Sequence, residues 1–342
     1  MVLAPEYLWM HYGHMCITVK RSFPRVSIPV ALVALAACGC KSRGVELSVF
    51  YASSLSAVLG DAVEVFHKEN PQVRIRLEPS GSQVAARKVT ELGMRADIVL
   101  VADAALIDKI MIPSHATWNA VFATNEIVIA HKDHSRGTDK IKGENWPEIL
   151  TGAGVRLGRA DPDTAPIGYN TLMVWQLAET AGLFGSSATG LDARLRGQCS
   201  PEHVVHDEAE LLGLLESRSI DYAFLFRSTA EDHHLKVLAL PPEINLSQQD
   251  MATRYATASV EVRMKRGQGL ARLQGAPVTY GLTIPNSAPH KVEAEKFAAL
   301  LLGQRGQRLF AKRGFHPVNP ARCNPCAGLP AELESLVQPV AH

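Results

Sequence analysis

The 342-residue chain lacks several features that would assign it a class at once. It has no excess of charge: Lys and Arg number 35, Asp and Glu 34, and the formal net charge is +1. A basic footprint for nucleic acid is therefore absent, as is an acidic or basic tail. Tandem repeats and low-complexity tracts are missing too. No GxSxG elbow, Walker loop or HExxH pair occurs, so acyl-transfer, nucleotide and zinc-hydrolase signatures are all unfilled. One N-terminal apolar run is too short to span a bilayer as a mature helix, and no other stretch is long and apolar enough to do so.

That run is Ile28 to Cys38, IPVALVALAAC, preceded by Lys20, Arg21 and Arg25. A charged segment followed by a short apolar one with small residues at its end is the layout of a secretory signal. Residues 1–38 are read as a signal peptide, with Met15 as an alternative start. Leu35-Ala36-Ala37-Cys38 resembles a lipobox, in which Cys38 becomes the lipid-bearing first residue. The rest is expected to be exported, periplasmic or on the outer face of the cell membrane. Of the six cysteines, Cys40, Cys199, Cys323 and Cys326 then face an oxidising compartment. Cys323 and Cys326 can close a short disulfide, or either can reach Cys199.

What is present is an alternation of strand and helix patterns. Val45, Leu47, Val49 and Tyr51 alternate as a strand, and Val58, Leu59, Ala62, Val65 and Phe66 keep helical spacing up to Asn70-Pro71. Val73 to Leu77 repeats the strand pattern, a helix follows from Ser82 to Leu92, and ADIVLVAD reads as a buried strand. After WNAVFATNEIVIAHK a second set follows. Strands are expected near Val155–Leu157 and His203–Val205 and at DYAFLF, and helices over Gly168–Glu179 and Glu208–Glu216. Gly190–Gly197 reads as a surface loop. VTYGLTIP is a further strand, followed by two helices, the last near Gln304–Lys312. This order is that of an α/β protein with parallel sheets, in two units that exchange chain segments.

Four strand-to-helix turns stand out: YASSLS, EPSGSQ, the loop ending in Pro166-Ile167-Gly168-Tyr169, and His206-Asp207-Glu208. A helix start offers free N–H groups and a partial positive charge, and so suits an anion. Ser53, Ser54, Ser80 and Ser82 add hydroxyls. The bland alternative for each serine is a cap that serves only its own helix. Asp161 and Asp163 suit an Asp-Pro turn as well as a site. The thirteen histidines include His131 and His134, His203 and His206, without the further ligands a metal needs. Trp118, Trp146 and Trp175 read as core or interlobe packing.

Taken together, FYASSLS, EPSGSQVAARKVTELGMRADIVLVAD, WNAVFATNEIVIA, PIGYNTLMVWQLAE, IDYAFLFRSTAEDHHLKVLALPPEINLS and APVTYGLTIP resemble the molybdate/tungstate-binding proteins of ABC importers. The resemblance runs from about Val45 to Val318 and is nearest the tungstate/molybdate branch. It implies the type II periplasmic binding protein fold, two lobes with the ligand cleft between them. Lobe I is expected over 45–124 plus about 275–342, and lobe II over about 125–274. It also implies a monomer that does no chemistry, uses no cofactor, and passes a small oxyanion to a permease and ATPase.

Residue by residue, Ser54 matches the first anion-contacting serine of that family, and Ser82, with Ser80 as the other candidate, the second. Ile167 and Gly168 keep backbone N–H donors, and Glu208 matches a carboxylate. Two positions depart from the pattern. Ala165 stands where the branch has a second carboxylate, and Phe226 where it has a tyrosine. Plain four-coordinate binding of molybdate or tungstate is expected, the alternative being a diverged family member that binds or senses a different oxyanion, sulfate or phosphate.

Overall fold

A computed structural model describes residues 44–263 and 269–340. The signal segment, Cys38 and Cys40 lie outside the described residues. Among those described, no helix is long and apolar enough to cross a membrane.

The chain opens β1 (Val45–Ala52), a single 3-10 turn over Ser53–Leu55, α1 (Ser56–Glu69), β2 (Val73–Ser80), α2 (Ser82–Thr90) and β3 (Ile98–Val101). It continues through β4 (Trp118–Thr124), β5 (Ile127–His131), α3 (Trp146–Leu150), β6 (Leu157–Ala160), α4 (Pro166–Thr180), α5 (Leu191–Gln198) and β7 (Val204–Val205). Next come α6 (Glu208–Glu216), β8 (Tyr222–Phe226), α7 (Arg227–Asp232), β9 (Lys236–Ala239), α8 (Ala252–Tyr255), β10 (Ser259–Val262) and β11 (Ala271–Gln274). The chain returns in β12 (Thr279–Thr283), α9 (Lys291–Leu302), α10 (Gln304–Lys312), β13 (His316–Cys326) and β14 (Val337–Pro339).

Two sheets form two lobes. One has the order β14-β13-β4-β12-β3-β1-β2, the other β7-β6-β8-β5-β9; β10 and β11 make a separate hairpin. Neither large sheet is wholly parallel, as the alternation of elements suggested. β2, β1 and β3 run parallel, but β12 is antiparallel to both β3 and β4. The reason is topological: β12 is the strand on which the chain comes back from the second lobe, and a return strand runs against the crossovers. In the same way β5, which enters the second lobe, is antiparallel to β8.

Burial follows the local pattern. All four residues of β3 are buried, as a strand covered on both faces requires. The edge strand β2 alternates, with Arg74 and Arg76 exposed. Trp146 and Trp175 are fully buried and pack edge-on against Phe224, which makes them core of the second lobe, as expected.

Several local readings are corrected. Gly190–Gly197 is not a loop; it holds α5. Leu191 and Leu195, one turn apart, are its only buried residues, Asp192 pairs with Arg196 along the helix, and Gly190 starts it at φ 61°. An apolar stripe of two leucines was too thin to show a period. The strand expected near Val155–Leu157 begins at Leu157, because Val155 is held in a turn by Gly152. WNAVFATNEIVIAHK contains two strands, one in each sheet. Of the disulfide alternatives, Cys323 bonds Cys326, and Cys199 is a free, half-buried thiol pushed up to about 12 by burial.

Candidate functional site

The strand ends of both lobes converge on one small cavity with about 190 Å³ of atom-free space. Ser53, Ser54, Ser80, Gly81 and Ser82 line it from the first lobe, and Ala165, Pro166, Ile167, Glu208 and Phe226 from the second. No Lys, Arg or His is among the lining residues.

Three of the four helix starts face this space without a side-chain cap. The 3-10 turn leading into α1, α2 after Gly81, and α4 after Ala165 all lack one. Pro166 opens α4 at the position where a missing N–H costs nothing. The first N–H groups of these helices, Ile167 among them, have no acceptor within the helix. The fourth start differs. Asp207 caps α6 by accepting the N–H groups of Ala209 and Glu210 at 3.0 and 3.1 Å. α6 therefore contributes the Glu208 side chain to the cavity and not a free helix end.

Neither principal serine is an ordinary cap. Ser82 is fully buried, and its Oγ accepts the N–H of Ala102 at 2.9 Å, so its own proton remains to be donated. Ser54 Oγ lies 3.3 Å from the Tyr280 hydroxyl. Ser80 Oγ is buried without a partner, which makes it a donor of equal standing with Ser82. Ser53 lines the cavity, and its carbonyl accepts from Ser56 Oγ.

Gly168 departs from expectation. Its N–H donates to Ala165 O at 3.0 Å and is not free, and it is absent from the lining. Its role is steric: a Cβ there would stand 2.6 Å from the Asp161 carbonyl. Asp161 and Asp163 take the turn reading. Asp161 Oδ1 accepts the Asp163 N–H, Asp163 accepts the Arg263 N–H, and neither lines the cavity. Among the described residues no cluster of His, Cys, Asp and Glu could hold a metal ion.

Glu208 is 2% exposed. Its Oε1 accepts the Phe226 N–H at 2.7 Å, and Oε2 has no hydrogen-bond partner. Burial pushes this carboxyl up to about 8; the Phe226 N–H and the Thr229 hydroxyl oppose the rise and Asp207 adds to it. At neutral pH Glu208 is therefore mostly a neutral acid.

Sequence reasoning missed Tyr280. Phe226 supplies no hydroxyl, but its ring meets the Tyr280 ring edge-on, with centroids 5.8 Å apart. Tyr280, on β12 of the other lobe, reaches Ser54, and Asn125 bonds both Tyr280 and Ser228, at 3.4 and 2.7 Å. Burial and nearby Glu208 hold the phenol firmly protonated. No local signal singled it out, because β12 also carries the hydroxyls of Thr279 and the buried Thr283.

Contacts between the lobes hold the cavity shut. Tyr169 on α4 donates to Asp103 beyond β3, and Gln83 Nε2 donates to Pro162 O at 2.9 Å. Arg313 forks onto Asp61 at 2.8 Å and reaches Asp232 of the second lobe at 3.0 Å.

Residues 47–316 match the family described as bacterial extracellular solute-binding protein. A relative from Thermococcus kodakarensis named molybdate/tungstate-binding protein WtpA is 33% identical, over 90% of this chain and 95% of its own length. An uncharacterized solute-binding protein from Petrotoga mobilis is 36% identical, over 86% of this chain and 90% of its own. Among solved structures, the periplasmic molybdate-binding protein of Azotobacter vinelandii superposes with a TM-score of 0.57 at 17% identity, covering 79% of this chain and 98% of that one. The sulfate-binding protein SubI of Mycobacterium tuberculosis H37Rv gives 0.56 at 14%, covering 81% and 88%. At such identities these two speak for the fold alone.

Proposed function

The chain belongs to the bacterial extracellular solute-binding proteins, and from that premise we propose that its solute is a small tetrahedral oxyanion, molybdate or tungstate, delivered to the permease and ATPase of an ABC importer. The observation that carries this reading is the cavity itself. It is small, is lined by no cationic side chain, and gathers serine hydroxyls from the first lobe and uncapped helix starts from both. Neutral, fixed donors suit a dianion in a dry space, because charge-assisted hydrogen bonds replace hydration without a mobile counter-ion. The likeness to relatives named for molybdate and tungstate points to the same solute.

Ser54, Ser82, Ser80, Ser53, the Ile167 N–H and Glu208 form the ligand set; Gly168 shapes the turn. The protein captures and hands over its solute and catalyses nothing, as befits a transport component. The boundaries of the lobes are taken at 45–124 with about 275–342, and about 125–274, which the division of strands between the two sheets supports. Anchoring to the membrane through a lipid on Cys38, and a monomeric state, complete the reading.

Sulfate or phosphate is the second reading, favoured by the absence of a carboxylate at Ala165 and of a hydroxyl at Phe226. Thermal unfolding with each anion separates them, since a ligand that binds only the folded state raises Tm. Molybdate and tungstate are expected to raise it at micromolar concentration. A rise with sulfate or phosphate alone would transfer the assignment to those anions.

A further inference from the structure

Glu208 faces the cavity with one oxygen engaged and one free. Oε1 holds the Phe226 N–H, while Oε2 is buried without a hydrogen-bond partner, and Glu208 lines the cavity together with Ser54 and Ile167. The groups around it offer no compensating cation. On α6, Asp207 adds a negative charge, engaged as the cap. On β12, Tyr280 stands near as a neutral phenol. From α7 and the residue after it, Thr229, Asp232 and His233 line the groove outside the cavity, and Asp232 is paired with Arg313. On β6, Arg159 has Cys199, Arg196 and Asp161 as its charged neighbours. β8 presents the Phe226 N–H, and the 3-10 turn presents only Ser53 and Ser54.

An ionised carboxylate and a dianion would repel each other in this space, whose lining has no cationic side chain to offset the added charge. We infer that Glu208 takes part as the neutral acid, donating a hydrogen bond from Oε2 to the anion, so that each oxyanion is captured together with one proton. This rests on the oxyanion reading of the site. Below the titration of Glu208 the proton is already on Oε2 and stays there when the anion leaves; above it the proton comes from solvent with the anion and returns to solvent on release, and at either pH no bond forms between Glu208 and the central atom of the anion. The high titration point of Glu208 supports the same protonation state. The arrangement also sorts ligands. Molybdate, tungstate and sulfate carry no proton near neutral pH and need the acid form of Glu208. Hydrogen phosphate carries its own proton and can donate it to the carboxylate.

Isothermal titration of the protein with molybdate, tungstate, sulfate and phosphate, in buffers of different ionisation enthalpy, counts the protons taken up. Uptake with molybdate or tungstate is expected to be near zero at about pH 6.5 and close to one per anion at about pH 9.5, with affinity falling about tenfold per pH unit above the titration of Glu208. Glu208→Gln, which keeps a neutral donor, should flatten that profile and bind more tightly than the parent at about pH 9.5. A level profile without proton uptake in the parent overturns the inference, as does loss of binding at every pH in a folded Glu208→Gln; both indicate a carboxylate bonded to the metal centre. The parent profile decides the matter even if the variant does not fold. Failure of all four anions to bind at about pH 6.5 overturns the oxyanion reading as well, so the two failures are distinct.

Discussion

Gly81 and Thr164 pass so closely that a methyl group on the first would stand 2.2 Å from the carbonyl oxygen of the second. Gly81 belongs to the turn before α2, and Thr164 to the turn before α4, so the contact joins the two lobes at the rim of the cavity. The backbone of Gly81, at φ −62° and ψ 146°, is open to any residue. Gly81→Ala should therefore fold normally and fail to close. Overpacking of ~1–3 kcal/mol corresponds to roughly 5- to 150-fold weaker anion binding. Titration calorimetry beside an unliganded melting curve checks it; an unaltered affinity would show that the lobes need not meet there.

Ser54→Ala and Ser82→Ala each remove a hydroxyl donor from the cavity. A hydrogen bond to a charged group is worth ~1.5–3 kcal/mol, so affinity should fall about 10- to 150-fold for each. Ser82→Ala should also destabilise the unliganded protein, because the Ala102 N–H loses its acceptor. Ser54→Ala leaves Tyr280 with Asn125 and should spare stability more. Paired melting and binding measurements test this contrast.

Tyr169→Phe removes the hydroxyl that donates to Asp103 across the lobes. The expected result is faster release with little change in the unliganded Tm, since the bond joins the two lobes and lies within neither core. A loss of ~1–2 kcal/mol would speed dissociation about 5- to 30-fold. Stopped-flow displacement measures it; an unchanged release rate would assign Tyr169 to packing alone.

The buried carboxyl of Glu208 sets a pH dependence of stability whose sign is determined. Its folded titration point, about 8, lies above the unfolded value of about 4.3. Between those values the folded state holds more protons than the unfolded one, so stability falls as pH rises. The contribution is fully present below about pH 4.3 and is lost as pH rises through about 8, at a limiting slope of ~1.4 kcal/mol per unit. Glu208→Gln should remove this slope. Denaturant melts of the unliganded protein across pH 5 to about 8.5 compare the two, and parallel curves would place the carboxyl in solvent.

Much of this was legible in the sequence wherever the hydrophobic period switched from two to about 3.6 within a few residues. That switch marked β1 into α1 and β2 into α2, and so brought Ser54 and Ser82 forward as candidates. What was hidden depended on pairing over distance. Tyr280 meets Ser54 across 226 residues, and Tyr169 meets Asp103 across 66. No local pattern records which strand will lie beside which. The spent N–H of Gly168 was hidden for another reason: the first turn of α4 tightens onto Ala165, a matter of torsion angles and not of residue type. Asp207 was read as a neighbour of Glu208, although an Asp one place before an apolar helical run is a cap signal.

The two lobes are tied on several sides at once, by Gln83 to Pro162, Tyr169 to Asp103, and Arg313 to Asp232. Solute in the closed form therefore escapes only when separate fastenings open in the same event, which makes escape slow. Such a receptor works as a ratchet for scarce solute: it retains what it catches through long searches for a membrane partner. Its throughput is then set by how quickly that partner prises the lobes apart, not by how quickly the solute arrives.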